Sequence, residues 1–248
     1  MKVTLSVIKA DIGSIGGHEK PSLAVIEEVK KYVDEHRQGL LLDCFQSFVG
    51  DDISLLMSHT KGVEDSLVHE LAWNAFKAGT EMAKKQGLYG AGQDLLKDSF
   101  SGNVKGMGPG VCEMEFEERP NEPFVFLQAD KTDPGAFNLP MYLSFADPMY
   151  SPGLFISESM RKGFKFTIMN VYHTEGDKTI VLKTPEEIYD IACLLRDLET
   201  YVVESIRSES GEIAAVVSTS RLHNIAGTYV GKDDPVALVR AQKLFPDT

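Results

Sequence analysis

Val3, Leu5 and Val7 alternate with Lys2, Thr4 and Ser6, so the chain is expected to open on a half-buried strand. That strand runs into Ala10-Asp11-Ile12-Gly13-Ser14-Ile15-Gly16-Gly17-His18. Leu23, Ile26, Val29 and Val33 recur at helical spacing and predict a helix over 21–36, with Pro21 suited to its first turn. Residues 40–49 are strongly apolar, and Gly50-Asp51-Asp52 separates them from 53–57, which reads as strand, short turn, strand. A long helix is expected over 63–86, with Leu67, Leu71, Phe76 and Met82 near one stripe and Gly87 at its C-terminal cap. Trp73 and His69 on it need no function. Cys112, Met114 and Phe116 alternate with Glu113, Glu115 and Glu117 in the clearest amphipathic strand, and 124–129 is expected to form a more fully buried one. Further strands are expected over 164–172, 179–182 and 213–217. Thr184-Pro185-Glu186-Glu187 reads as a capping box opening a helix through Ile188, Ile191, Leu195, Leu198 and Val202, and a last helix is expected over 235–245.

Strands and a few long helices joined by hairpin-length turns predict an α+β or α/β layered sandwich with mixed or mostly antiparallel sheets. No linker, repeat or low-complexity stretch divides the 248 residues, which are 43% hydrophobic and 25% charged, as in ordinary soluble globular proteins. A net charge of -12 opposes non-specific nucleic-acid binding and anionic membrane surfaces, and it suits divalent cations. The first residues carry no signal-peptide apolar block and no run reaches the length of a membrane span, so a cytoplasmic location is expected. Cys44, Cys112 and Cys193 are widely spaced among apolar neighbours and read as buried reduced thiols rather than a zinc or disulfide framework.

The candidate chemistry centres on Tyr229-Val230-Gly231-Lys232-Asp233-Asp234. An amine attacks a carbonyl only when unprotonated, and adjacent carboxylates favour the ammonium form. Lys232 is therefore a workable nucleophile only if divalent cations neutralise Asp233 and Asp234 and desolvation lowers its pKa. A second pair, Asp51-Asp52, and single acids in turn-like settings, Asp11 and Asp130, suggest one metal-rich site holding an amine. Taken alone, an Asp-Asp pair at a turn is ordinary hairpin chemistry. The glycine-rich stretch 87–110 reads either as a phosphate cradle or as a mobile surface loop. The glycines after the first strand do not follow the dinucleotide-binding spacing.

Together with Gly50-Asp51-Asp52, Tyr89-Gly90-Ala91-Gly92-Gln93-Asp94, Ala129-Asp130-Lys131-Thr132-Asp133-Pro134-Gly135-Ala136-Phe137 and the lysine segment followed by Pro235, these motifs make the chain resemble the archaeal fructose-1,6-bisphosphate aldolase/phosphatases, the class V fructose bisphosphatases. The resemblance runs through essentially the whole chain. It implies a four-layer α-β-β-α sandwich, a homo-octamer, and a bifunctional gluconeogenic enzyme. Such an enzyme condenses dihydroxyacetone phosphate with glyceraldehyde 3-phosphate through a lysine Schiff base, then removes the C1 phosphate of fructose 1,6-bisphosphate with Mg2+, several ions per site. It further implies that Lys232 is the Schiff-base lysine and Tyr229 the proton donor. The magnesium ligands would be Asp11, His18, Asp51, Asp52, Gln93, Asp130, Asp233 and Asp234, and the substrate contacts His18, Tyr89, Gly102, Asn103, Lys131, Gln242 and Lys243.

Members of that family continue beyond residue 248, so residues 1–248 are expected to form a single catalytic domain lacking a C-terminal continuation. Two other classes stay open. A phosphatase alone would use the aspartates and leave Lys232 as a phosphate-binding charge. A non-catalytic binder would hold magnesium and a sugar bisphosphate without turnover.

Overall fold

The computed structural model describes residues 1–95, 108–172, 178–221 and 234–241. Within them the chain forms two compact units, one holding residues 2–115 and 220–221, the other Met1, 116–219 and 234–241. Each unit is built on an antiparallel sheet with helices, which makes the fold α+β.

In the first unit β1 (Lys2–Asp11), β2 (Asp43–Val49), β3 (Asp52–His59), β4 (Gly110–Glu117) and the short β10 (Ser220–Arg221) lie in the order β10-β4-β1-β3-β2. Two helices cover one face, α1 (Leu23–His36) and α2 (Ser66–Lys85). Ser22 and Asp65 start them by accepting hydrogen bonds from free amides of the first turn. Val25, Val29 and Val33 of α1 meet Val68, Ala72, Ala75 and Phe76 of α2 over Ile8, Ala10, Ile53, Leu55 and Met57 of the central strands.

The opening strand departs from its expected half burial: every residue from Val3 to Asp11 is buried. Ser6, Lys9 and Asp11 tolerate this through hydrogen-bonded or charged partners, whereas Thr4 Oγ1 is buried with no hydrogen-bond partner among the described residues. Ser6 Oγ donates to Glu113 Oε1 at 2.6 Å and lies 2.8 Å from His59 Nε2, while His69 Nε2 lies 3.0 Å from the same Glu113 oxygen. Burial pushes the Glu113 carboxyl up, but the hydrogen bonds from His69 and Ser6 outweigh it and leave the group below the usual range.

The second unit carries β5 (Phe124–Gln128), β6 (Phe164–Asn170), β7 (Thr179–Lys183), β8 (Tyr201–Ser208), β9 (Ile213–Val217) and β11 (Val236–Arg240) in the order β5-β11-β9-β8-β6-β7. Its helices are α3 (Asn138–Phe145), α4 (Gly153–Ile156) and α5 (Ile188–Leu195). Phe145 and Met141 of α3 and Ile191 and Leu195 of α5 pack with Phe166, Ile168, Val203 and Ala215 of the sheet.

Several expectations change here. The helix expected over 235–245 is strand β11 across its described residues 236–240. Its apolar run Val236-Ala237-Leu238-Val239 is buried at every position, and β5 and β9 take up its backbone hydrogen bonds on the two edges; an unbroken apolar run is a pattern that periodicity cannot separate from a buried helix. The helix expected through Val202 ends at Leu195. Asp197 Oδ1 accepts from Glu199 N and Thr200 N, and the chain turns into β8, where Val202 is buried.

Thr184 does not cap α5. Its Oγ1 accepts instead from Phe164 N at 2.9 Å, tying the turn to β6. β5 is an edge strand with Phe124 and Val125 exposed, not a fully buried one. Of the three free thiols only Cys112 is buried. Cys44 is half-buried and Cys193 exposed.

Gly163 sits at φ 82°, and a Cβ there would collide with the Thr184 carbonyl oxygen. Gly163→Ala is expected to cost roughly 2–4 kcal/mol, since backbone strain and a backbone clash coincide. Thermal or urea unfolding measures it.

Candidate functional site

The first group of acids is assembled by the register of β1 on β3. Asp11 pairs with Asp52, the last residue of one strand against the first of the other, and the side chains of paired residues share a face of the sheet. Asp51 stands one residue earlier, in the two-residue turn Gly50-Asp51 that closes the β2–β3 hairpin, where Val49 pairs with Asp52. Gly50 supplies the positive φ of that turn, at 52°.

His18 is brought back to these aspartates by the loop after β1. Ile15 N bonds to Lys20 O, and His18 N donates to Ser14 Oγ at 3.0 Å. His18 itself holds φ at 70° in the left-handed region, a conformation disfavoured for a side-chain-bearing residue and enriched at binding sites. Its Nδ1 lies 2.7 Å from Asp51 Oδ2 and 3.7 Å from Asp11 Oδ2.

The glycine-rich stretch closes the other side. Ser14 and Tyr89 exchange backbone hydrogen bonds, Gly92 N donates to Ile12 O at 2.9 Å, and Asp94 Oδ2 accepts from Asp11 N at 2.9 Å. This close approach requires Gly13, where a Cβ would stand 2.7 Å from that of Ala83 at φ 130°. The Tyr89 ring meets the His18 imidazole edge-on, with centroids 4.6 Å apart. Gln93 opens the short helical turn Gln93–Leu95, next to Asp94.

Asp11, His18 and Asp51 each offer one ligand atom, all within 4.8 Å of one another. Burial, reinforced by the charges of Asp94, Asp51 and Asp52, pushes the Asp11 carboxyl up to about 8. A hard divalent cation fits this donor set: two carboxylates and an imidazole converge, and cation charge relieves the repulsion that burial imposes on the acids.

In the second unit the ends of β5 and β11 bring a further set together. Thr132 N donates to Asp234 Oδ1 at 2.9 Å, and Lys131 Nζ donates to Asp130 Oδ2 at 2.7 Å. Asp130 and Asp234 present carboxylate oxygens within 4.8 Å of each other. Lys131 and Asp234 also hold positive φ, at 56° and 57°.

Nine of the expected site residues are thus placed in two sets, Asp11, His18, Asp51, Asp52, Tyr89 and Gln93 in one unit and Asp130, Lys131 and Asp234 in the other. Gly102, Asn103, Tyr229, Lys232, Asp233, Gln242 and Lys243 lie outside the described residues. Two contributors went unforeseen. Asp94 fixes Asp11 from within a motif whose glutamine was the expected ligand, and Lys9 is buried against Asp52. The two-residue spacing places Lys9 on the strand face of Asp11, but nothing in the sequence marks its burial or its partner.

Residues 2–248 match the sequence model of a family described as fructose-1,6-bisphosphatase. A protein of Thermus thermophilus named fructose-1,6-bisphosphate aldolase/phosphatase is 63% identical over all of this chain and 69% of its own length. Proteins of the same name from Sulfurisphaera tokodaii and Methanothermobacter marburgensis are 52% and 50% identical over 99% of this chain, covering 64% and 67% of their lengths. The chain therefore spans about two thirds of the relatives it matches. With acids and histidine converging at the strand ends and identity of this extent along the whole sequence, the chain belongs to the fructose-1,6-bisphosphatase family that includes these aldolase/phosphatases.

Proposed function

We propose that the protein is a bifunctional aldolase and phosphatase. It joins dihydroxyacetone phosphate to glyceraldehyde 3-phosphate and then hydrolyses the C1 phosphate of the fructose 1,6-bisphosphate formed. The observation that carries the reading is the convergence of Asp11, His18 and Asp51 on one strand end, in a chain 63% identical to a protein named for both activities. Magnesium, when bound, supplies charge stabilisation to phosphate oxygens and polarises the phosphoryl group toward water. Asp11, His18, Asp51, Asp52 and Gln93 would hold it in one unit, and Asp130, Asp233 and Asp234 in the other. Carboxylates are the hard oxygen ligands that magnesium prefers.

In this reading the Lys232 amine attacks the ketone of dihydroxyacetone phosphate, loses water and forms an imine. Loss of a proton from the neighbouring carbon gives an enamine, whose carbon attacks the aldehyde of glyceraldehyde 3-phosphate. Tyr229 supplies the proton that the new alkoxide takes up, and hydrolysis of the imine frees Lys232. His18, Tyr89, Gly102, Asn103, Lys131, Gln242 and Lys243 bind the substrates, with the Lys131 ammonium suited to a phosphate oxygen. In the same reading residues 1–248 form one catalytic domain of a cytoplasmic homo-octamer serving gluconeogenesis. No described helix is long and apolar enough to cross a membrane.

The test is chemical trapping. Protein incubated with magnesium and dihydroxyacetone phosphate is reduced with borohydride and digested, and the peptides are weighed. Added mass on Lys232 is the expected result. An unmodified Lys232 under saturating ligand, with phosphate still released from fructose 1,6-bisphosphate, would reduce the activity to hydrolysis alone.

A further inference from the structure

Lys9 is one of the largest fully buried side chains among the described residues, only 1% exposed. A lysine amine withdrawn from water to that degree needs a close polar partner, and Lys9 Nζ donates to Asp52 Oδ2 at 2.6 Å. The placement follows from strand geometry. Lys9 and Asp11 share a face of β1, Asp11 pairs with Asp52 across the ladder and Lys9 with Ser54, so Lys9 reaches Asp52 diagonally. Asp52 is as deeply buried, and it lies in the same charge cluster as Asp11, Asp51 and Asp94. A lysine is thus built into an acidic face.

The geometry points to Lys9 as a positioning residue that acts as an internal counter-cation of the metal site: it holds Asp52 by one oxygen and weakens the grip of the acidic face on divalent cations. This rests on the reading of Asp11, His18, Asp51 and Asp52 as metal ligands. Two physical effects follow from one contact. Without metal, the ammonium offsets part of the repulsion among buried carboxylates that would otherwise oppose folding. If Asp52 also held a divalent ion, the Lys9 ammonium on that carboxylate would lower the ion's affinity by Coulomb repulsion, which a buried setting screens poorly. Such a residue keeps an acid-rich site folded when empty and its ions exchangeable when loaded. A purely structural ion pair predicts the opposite sign, because losing it would loosen Asp52 and weaken metal binding.

The experiment is a calorimetric titration of Mn2+, supported by its electron paramagnetic resonance signal, into metal-stripped wild-type protein, Lys9→Met, Lys9→Gln and Lys9→Arg. Lys9→Met is expected to bind Mn2+ about tenfold more tightly than wild type, and to show a larger Mn2+-induced rise in Tm from a lower metal-free Tm. Lys9→Arg keeps the charge and is expected to stay near the wild-type affinity. Lys9→Gln keeps a donor toward Asp52 and must show the same tightening, so it carries the test if Lys9→Met does not fold. Unchanged or weaker Mn2+ binding in the neutral variants, beside normal wild-type binding, would overturn the role of Lys9 and leave the metal site standing. A wild-type protein that takes up no Mn2+ would overturn both.

Discussion

Lys232→Met is expected to abolish borohydride-trapped adduct and to lower condensation of the two triose phosphates at least about 10³-fold, the scale on which loss of a covalent nucleophile is felt. Methionine keeps the length and apolar stem of lysine but cannot form an imine. The enamine route is then closed rather than slowed. Mn2+ binding by Asp11, His18 and Asp51 is expected to persist in the variant, since those three ligands converge without Lys232. That separation of outcomes gives the experiment its force: a misfolded variant would lose both properties, and a lysine that only binds phosphate would raise KM without ending adduct formation. Condensation assayed by coupled detection of fructose 1,6-bisphosphate, beside the metal titration, measures both.

Asp51→Asn is expected to weaken divalent-metal binding at least about 10²-fold and to lower both proposed activities with it. The amide keeps nearly the shape of the carboxylate, and its oxygen can still accept from His18 Nδ1, which lies 2.7 Å from Asp51 Oδ2. What disappears is the negative charge. Burial first, then the charges of Asp94, Asp51 and Asp52, hold the Asp11 carboxyl near 8, so removing one of those charges eases the crowding. The metal-free variant is therefore expected to melt no lower than wild type, while the rise in Tm on adding Mn2+ shrinks. Loss of function with stability retained identifies a site maintained against the preference of the fold. A variant that melts lower without metal and binds Mn2+ normally would make Asp51 a structural residue of the turn.

An element is legible in the sequence when its apolar period runs long enough to be distinct. Helices α1 and α2 were legible because their apolar stripes run for several turns and polar residues mark both ends. The β2–β3 hairpin was legible because Gly50-Asp51 interrupts two apolar runs. Strand β11 and the end of α5 were not, since a buried apolar run of four residues and a short amphipathic helix carry too few positions to establish a period. Burial of Lys9 was hidden for a different reason. Charge is the ordinary mark of solvent exposure, and only a specific partner on another strand overrides it.

The amino-acid order alone specifies the helix-forming stripes, the turns and the acidic motifs, because these depend on neighbours a few residues apart. Which acids meet is a matter of long-range register. Asp11 faces Asp52, 41 residues further along the chain, only because β1 and β3 pair as they do, and a slip of one residue would turn one partner to the other face. His18 reaches Asp51 only through the loop that Gly13 and Asp94 close. Local propensity has no access to such distances, so the pairing of Lys9 with Asp52, and the charge balance it sets, emerges only when the sheet is assembled.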